Sequence, residues 1–120
     1  MKFIIIALVL LSLTGCMVLF ETVEEEITYQ VRVDNLTTLD LVAKISGVTI
    51  AQSPGMSPYF AATAVLVDGD TTTLVPVYVS ESGIPLINRT TARVSRNGMY
   101  TLSVYWDELG QRYGYTWVKE

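Results

Sequence analysis

Side chains able to do covalent or metal chemistry are few in this chain. Cys16 is the single cysteine of 120 residues, and histidine is absent. Nucleophilic hydrolysis needs a base beside the attacking group, most often an imidazole. Serine and cysteine triads therefore have no base here. Transition-metal sites lose a common ligand for the same reason. A pair of carboxylates can cleave a glycosidic bond, and Asp68 and Asp70 are the candidates. They flank Gly69 between two expected strands, where turn chemistry accounts for them. Calcium takes roughly six to eight oxygen ligands, and this stretch lacks the recurring ligand pattern. No catalytic residue, metal site or cofactor is assigned, and the chain is not expected to be an enzyme.

Binding chemistry is better represented. Tyr100, Tyr105, Trp106, Tyr113, Tyr115 and Trp117 crowd the last two expected strands. Alternation along a strand puts Tyr100, Leu102, Val104 and Trp106 on one face, and Tyr105 on the other with Thr101 and Ser103. In the final strand Tyr113, Tyr115 and Trp117 share a face opposite Gly114 and Thr116. One of these sets must pack in the core, where cross-strand aromatic pairs stabilise a sheet by about 0.2–1 kcal/mol each. Aromatics left outside form a candidate binding patch for a peptide, a glycan or a partner protein. Tyr105, Tyr113, Tyr115 and Trp117 are its candidate residues, and Tyr105 is the foremost because its face is otherwise polar.

Cys16 has a different setting. Met1-Lys2 precedes the apolar run Phe3-Ile4-Ile5-Ile6-Ala7-Leu8-Val9-Leu10-Leu11, the charged and hydrophobic regions of an export signal. Then come Ser12-Leu13-Thr14-Gly15-Cys16. Leu13-Thr14-Gly15-Cys16 resembles the lipobox of bacterial lipoproteins, the stretch read by the lipoprotein signal peptidase. The resemblance covers the first sixteen residues. It implies that Leu13, Thr14 and Gly15 are read by the peptidase, that the Cys16 thiol takes a diacylglycerol, and that cleavage leaves Cys16 as an acylated N-terminus. Two or more acyl chains hold a protein stably on a bilayer, whereas one binds reversibly. Met17 is not the aspartate that retains enteric lipoproteins at the inner membrane. The resemblance thus implies the periplasmic face of the outer membrane where the organism is Gram-negative. The alternative is an uncleaved transmembrane anchor, since Phe3 to Phe20 spans 18 residues without a charge, about the shortest length that crosses a bilayer.

Cleavage before Cys16 would leave 105 residues, enough for one domain. The whole chain carries a net charge of −4, and loss of Lys2 makes it one unit more negative. An acidic surface repels phosphate backbones, which argues against nucleic acid as a partner. With one cysteine no disulfide can form within the chain, so the fold must rely on its core. Glu21 to Glu26 reads as an acidic, solvated tether. The expected organisation is a signal peptide over 1–15, lipid attachment and tether over 16–26, and a β domain over 27–120.

Strand patterning begins at Ile27, where Ile27, Tyr29, Val31 and Val33 alternate with polar residues. Leu39 to Ile45 alternates again, Ser46-Gly47 turns, and Val48 to Ile50 continues. Ser53 to Pro58 reads as a loop because two prolines and a glycine interrupt it. Tyr59 to Val67 is mostly apolar and reads as a central strand buried on both faces. Thr71 to Ser80 contains Pro76, which predicts an edge strand or a bulge. Short strands follow over 84–88 and 91–95. Asn97-Gly98 predicts a two-residue type I′ hairpin joining Thr91–Arg96 to Met99–Trp106. Arg112 to Lys119 closes the domain. Asn35-Leu36-Thr37 and Asn88-Arg89-Thr90 match the glycosylation sequon, and both asparagines read as turn residues.

About seven to nine short strands with turns between them predict an all-β fold. The expected form is a small antiparallel β-sandwich of immunoglobulin-like architecture, preceded by an apolar signal or anchor helix. The expected function is non-catalytic: a membrane-anchored cell-envelope lipoprotein that binds, scaffolds or assembles, held by lipid on Cys16, with an envelope protein or glycan as partner. A phage- or plasmid-type exclusion or inhibitor lipoprotein is the alternative that the same anchor and size accommodate.

Overall fold

A computed structural model of the chain describes residues 2–4 and 23–120. The described residues form strands β1 (Lys2–Ile4), β2 (Val23–Asn35), β3 (Leu41–Ile45), β4 (Val48–Gln52) and β5 (Gly55–Met56). They continue with β6 (Phe60–Val67), β7 (Thr72–Glu81), β8 (Ile84–Ser95), β9 (Met99–Asp107) and β10 (Arg112–Lys119), with no helix among them. The lipobox lies outside the described residues. So does the expected leader helix, except that Lys2–Ile4 runs extended and antiparallel against Val23–Glu25. The last residues of the expected tether, Val23–Glu26, belong to β2.

β2 organises the first sheet. One of its edges carries β6 over Glu24–Val31 and β5 over Asp34–Asn35. The other carries β1 and then β9 over Gln30–Asn35, and β10 pairs with the far side of β9. The β2–β9 ladder is parallel, so this sheet is mixed rather than purely antiparallel as expected. The second sheet is antiparallel in the order β4-β3-β7-β8. The inward residues Ile27, Tyr29, Val31 and Val33 of β2 meet Leu41, Ala43 and Ile45 of β3 and Val75, Val77 and Val79 of β7 in one continuous core. The period of two in each strand produces this separation of faces. The two sheets form a sandwich-like all-β domain.

Three strand expectations are corrected. β6 is not buried on both faces: Ala62, Ala64 and Leu66 point inward, while Ala61, Thr63, Val65 and Val67 are exposed. Among the described residues it is an edge strand paired only to β2, so its apolar composition includes exposed outward residues such as Val65 and Val67 and does not mark double burial. The strands expected over 84–88 and 91–95 are one strand, β8, interrupted by bulges and not by a turn. Most informative is Asn97-Gly98. β8 belongs to one sheet and β9 to the other, so these residues carry the chain between layers instead of closing a hairpin. Asn97 has φ 60°, whereas a type I′ turn needs positive φ at both central residues, and Gly98 does not supply it. Gly98 serves packing: a Cβ there would stand 2.6 Å from the Tyr100 ring. The turn docks on β2 through Asn97 N–H to Thr28 O at 2.9 Å and Gln30 N–H to Gly98 O at 2.8 Å.

Pro76 lies inside β7, between β3 and β8, rather than at an edge. Its carbonyl accepts from Ser46 N–H at 3.0 Å. The N and C=O of a strand residue point to the same side, so the proline nitrogen faces the point where β3 gives way to its turn. No ladder donor is lost there. Ser46 and Gly47, with φ 50° and 86°, form the β3–β4 turn expected from sequence. The segment Ser53–Pro58, expected as loop, includes β5 and docks on β2 through Ser57, whose N–H donates to Val33 O at 2.8 Å. Its hydroxyl oxygen accepts from Val33 N–H at 2.9 Å.

Asn35 ends β2 and is buried. Its Nδ2 donates to Leu39 O at 2.7 Å and Gln52 O at 2.9 Å, and its Oδ1 accepts from Thr37 N–H at 2.9 Å and Thr37 Oγ1 at 2.6 Å. Both ends of the amide are satisfied, and the corner between the sheets is closed by side-chain chemistry.

Tyr29 is fully buried, and among the described residues its hydroxyl has no hydrogen-bond partner. Burial pushes the phenol above its ordinary range, against a smaller opposing effect of the Ser46 hydroxyl and with a further push from Tyr100. The Ser46 hydroxyl donates its own proton to Thr63 O. A raised folded-state value means the unfolded chain loses this proton first, so stability is complete below about pH 10 and falls as pH rises through it. Tyr29→Phe removes an unpaired buried hydroxyl. Urea unfolding at neutral pH should show stability unchanged or raised by up to about 1 kcal/mol. The advantage over the native chain should widen near pH 11. A loss at neutral pH would show that the hydroxyl is paired.

Candidate functional site

The side of the sandwich between the edges of β8 and β10 stays open, because β8 pairs only with β7 and β10 only with β9 among the described residues. A cleft of about 540 Å³ lies there, within the range of small-ligand sites. Leu86–Thr90 form one wall. Tyr105 and Asp107 of β9 and Arg112–Tyr115 of β10 form the other. Register explains the first wall. Val77 pairs with Thr90, Val79 with Ile87 and Ser80 with Pro85, so β8 carries extra residues around Leu86 and Asn88-Arg89. Bulges bend a strand and re-aim its side chains. Asn88 thus sits in a bulge, not in the turn expected for it.

The second wall is built by tyrosines arriving from opposite faces. Register sets Tyr113 opposite Trp106, Tyr115 opposite Val104, and Trp117 opposite Leu102. Tyr113, Tyr115 and Trp117 therefore share the inward face. Tyr105 lies on the outward face, opposite Gly114. A Cβ on Gly114 would stand 2.8 Å from Tyr105 Cζ and 2.8 Å from its hydroxyl. The ring thus crosses β10 through the space the glycine leaves and reaches the cleft. Tyr113 meets Trp106 edge-on at 4.8 Å between ring centroids, and the Tyr115 hydroxyl lies 3.2 Å from Thr90 Oγ1 across the two sheets.

Trp117 does not join this group. It stacks on Tyr100 at 5.2 Å with ring planes 19° apart, and its Nε1–H donates to Arg93 O at 3.3 Å. It closes the sandwich beyond the cleft. The four-residue patch read from the sequence is thereby divided: Tyr105, Tyr113 and Tyr115 line the cleft, and Trp117 packs against the core. Cys16, Leu13, Thr14 and Gly15 lie outside the described residues.

Charged groups at the mouth differ in their freedom. Asp107 Oδ1 accepts from Leu109 N–H at 3.1 Å and Gly110 N–H at 3.2 Å, which commits this carboxylate to the β9–β10 turn. Glu108 accepts from Trp106 Nε1–H at 2.7 Å. The Arg89 guanidinium lies 5.8 Å from the centroid of Tyr78. Among the described residues no group of three or more histidine, cysteine, aspartate or glutamate side chains is arranged to hold a metal ion. Asp68 and Asp70 flank a turn at Gly69, closed by Asp70 N–H to Val67 O at 2.9 Å. Asn35, the first sequon asparagine, is buried with both ends of its amide bonded, whereas Asn88 is exposed.

Sequence reasoning found the tyrosines and missed the other wall, with Asn88, Arg89 and Thr90, as well as Asp107 and Arg112. It also missed the route that unites the tyrosines. Tyr113-Gly114-Tyr115 carried the signal for that route, because a glycine inside a strand marks a close approach by another group. No protein-family model and no curated protein matches the chain.

The glycine notch can be tested by a double-mutant cycle. Gly114→Ala should cost about 1 kcal/mol in urea unfolding of the native background, because the new methyl meets the far end of a movable ring. In a Tyr105→Ala background the same change should cost almost nothing. Equal costs in both backgrounds would mean that Tyr105 does not occupy the notch.

Proposed function

We propose that this chain is a membrane-anchored cell-envelope lipoprotein with a non-catalytic binding role, an immunoglobulin-like sandwich held outside the cytosol by lipid on Cys16. The lipobox-like Leu13-Thr14-Gly15-Cys16 supports the anchor. The observation that carries the binding role is the cleft where Tyr105, Tyr113 and Tyr115 converge on Leu86–Thr90. Tyrosines supply large rigid contact area together with a polar tip, which suits recognition of a peptide, a protein surface or a glycan. Their placement at an open side of the domain leaves that area accessible to a macromolecule.

The two halves of the proposal are tested separately. Cys16→Ser should abolish incorporation of labelled palmitate and leave the chain unprocessed. Incorporation that survives the substitution, or a native chain of full length without lipid, would remove the lipoprotein reading. The uncleaved transmembrane anchor would then stand in its place. Tyr105→Ala should leave urea stability within about 0.5 kcal/mol of the native chain, as expected for a half-exposed side chain. It should also eliminate the crosslinks that the native chain forms in intact membranes. Crosslinks of undiminished yield in a folded Tyr105→Ala chain would dissociate the cleft from partner binding.

A further inference from the structure

Among the described residues the cleft borders a strand edge that lacks a partner, and the direction of that edge is legible. Glu120 N–H donates to Met99 O at 2.7 Å, next to the Lys119–Tyr100 register pair. Backbone groups alternate sides along a strand. The even-numbered residues of β10 therefore face β9. Tyr113, Tyr115, Trp117 and Lys119 turn their N–H and C=O groups away from the sheet. Exposed edges are commonly blunted by prolines, bulges, shortness or charge, and β10 over its eight residues has only the charge, at Arg112 and Lys119. The opposite edge of the same sheet is β6, which the β3–β4 turn crosses through Ser46 Oγ to Thr63 O.

Charge is segregated onto the two strands that flank this opening. β8 contributes Arg89 and Arg93, and β10 contributes Arg112 and Lys119. That is four of the eight basic residues of the chain, and neither strand contains an aspartate or glutamate. The chain as a whole is acidic, with net charge −4. The one carboxylate in the cleft wall, that of Asp107, is held by turn amides.

From the free edge and the one-signed flanks together we infer that β10 accepts an extended acidic peptide segment of a partner protein as an added strand. This rests on the binding role proposed above and names its partner class. The outward N–H and C=O groups of Tyr113, Tyr115, Trp117 and Lys119 bond the peptide backbone. Alternate side chains of the added strand enter the cleft beside Tyr105 and Tyr115. Carboxylates of the peptide meet Arg112 and Arg89, the two basic residues of the cleft wall. Main-chain bonding then gives affinity, and the cleft and charge give selectivity.

The test uses the full-length chain in detergent micelles and a short peptide of alternating glutamate and valine, with its lysine–valine counterpart and an oligogalacturonate as comparisons. Binding is followed by anisotropy, and hydrogen exchange reads the amides. The acidic peptide should bind and slow exchange at the outward amides of β10, and the basic peptide should not. Arg89→Ala combined with Arg112→Ala should weaken binding by about tenfold or more, as expected for lost charge-assisted contacts. Tyr113→Pro removes one outward N–H without touching the β9 ladder, and Tyr113→Ala removes only the ring. The proline variant should bind at least about tenfold more weakly than the alanine variant, both being checked for folding by circular dichroism. Equal weakening by proline and alanine, equal binding of the basic peptide, or oligogalacturonate binding without amide protection would overturn strand addition. Acidic peptide that fails to bind, while Tyr105→Ala still removes membrane crosslinks, would overturn strand addition and leave the binding role intact. Loss of both results would remove the two together.

Discussion

Every other element of this domain depends on β2 being paired along both edges at once. Residues 24–35 hold β6 and β5 on one side, and residues 30–35 hold β9 on the other. The inward face of the same strand supplies Ile27, Tyr29, Val31 and Val33 to the core at 0–2% exposure. A slip of one residue would turn that apolar set outward and Thr28, Gln30 and Arg32 inward. The chain has one cysteine and can form no internal disulfide, so register and burial must do what a covalent link does in many exported domains. Side-chain bonds reinforce the register on both edges of β2, toward β9 at Arg32 and toward the β5 segment at Val33. Arg32 Nε donates to Thr101 Oγ1 at 3.0 Å, and Ser57 caps Val33 in both directions.

The chain changes sheets at places where local chemistry substitutes for ladder bonds. After β2 the change is made by Asn35, whose amide bonds carbonyls of Leu39 and Gln52 and the amide and hydroxyl of Thr37. A buried amide of this kind is specific because any smaller or charged replacement leaves several groups unpaired. After β8 the change is made by Asn97-Gly98, where the Tyr100 ring fills the space beside Gly98. The Tyr100 hydroxyl reaches back to accept from Ser95 N–H at 2.8 Å. Tyr100 thus packs in the core, stacks on Trp117 and locks the crossover.

Much of this was readable from periodicity, and the failures share a cause. Alternation placed Ile27–Val33 and Leu41–Ile45, and it separated Tyr105 from Tyr113, Tyr115 and Trp117, because the period of two is a property of each strand alone. What periodicity cannot see is which strands become neighbours. Asn97-Gly98 has the composition of a tight hairpin, yet Gly98 is buried against Tyr100, a contact set by tertiary packing. Asn88-Arg89 looks like a break between strands because the bulge interrupts alternation just as a turn would. β6 looks doubly buried because Ala61, Val65 and Val67 are apolar, although its outer face meets solvent. The tyrosines of the cleft were legible as residues. Their union was not, since it depends on Tyr105 crossing the strand at the one position without a side chain.

The open side of the sandwich is flanked by strands that carry charge of one sign. β2 opens with Glu24-Glu25-Glu26, while β8 and β10 carry only basic charges. Like charges on two facing edges resist their closure into a continuous barrel, and they resist pairing of those edges with the same edges of another copy. The β8 bulge adds to this by bending its edge away. Among the described residues the hydrogen bonds across the gap come from the side chains of β10: Tyr115 with Thr90 Oγ1, and Trp117 with the Arg93 carbonyl. A regular β10 edge without proline or bulge is tolerable in such a setting because positive charge around it opposes pairing with the same edge of another copy. That repulsion does not oppose a strand of opposite sign, which is the segment proposed for this edge.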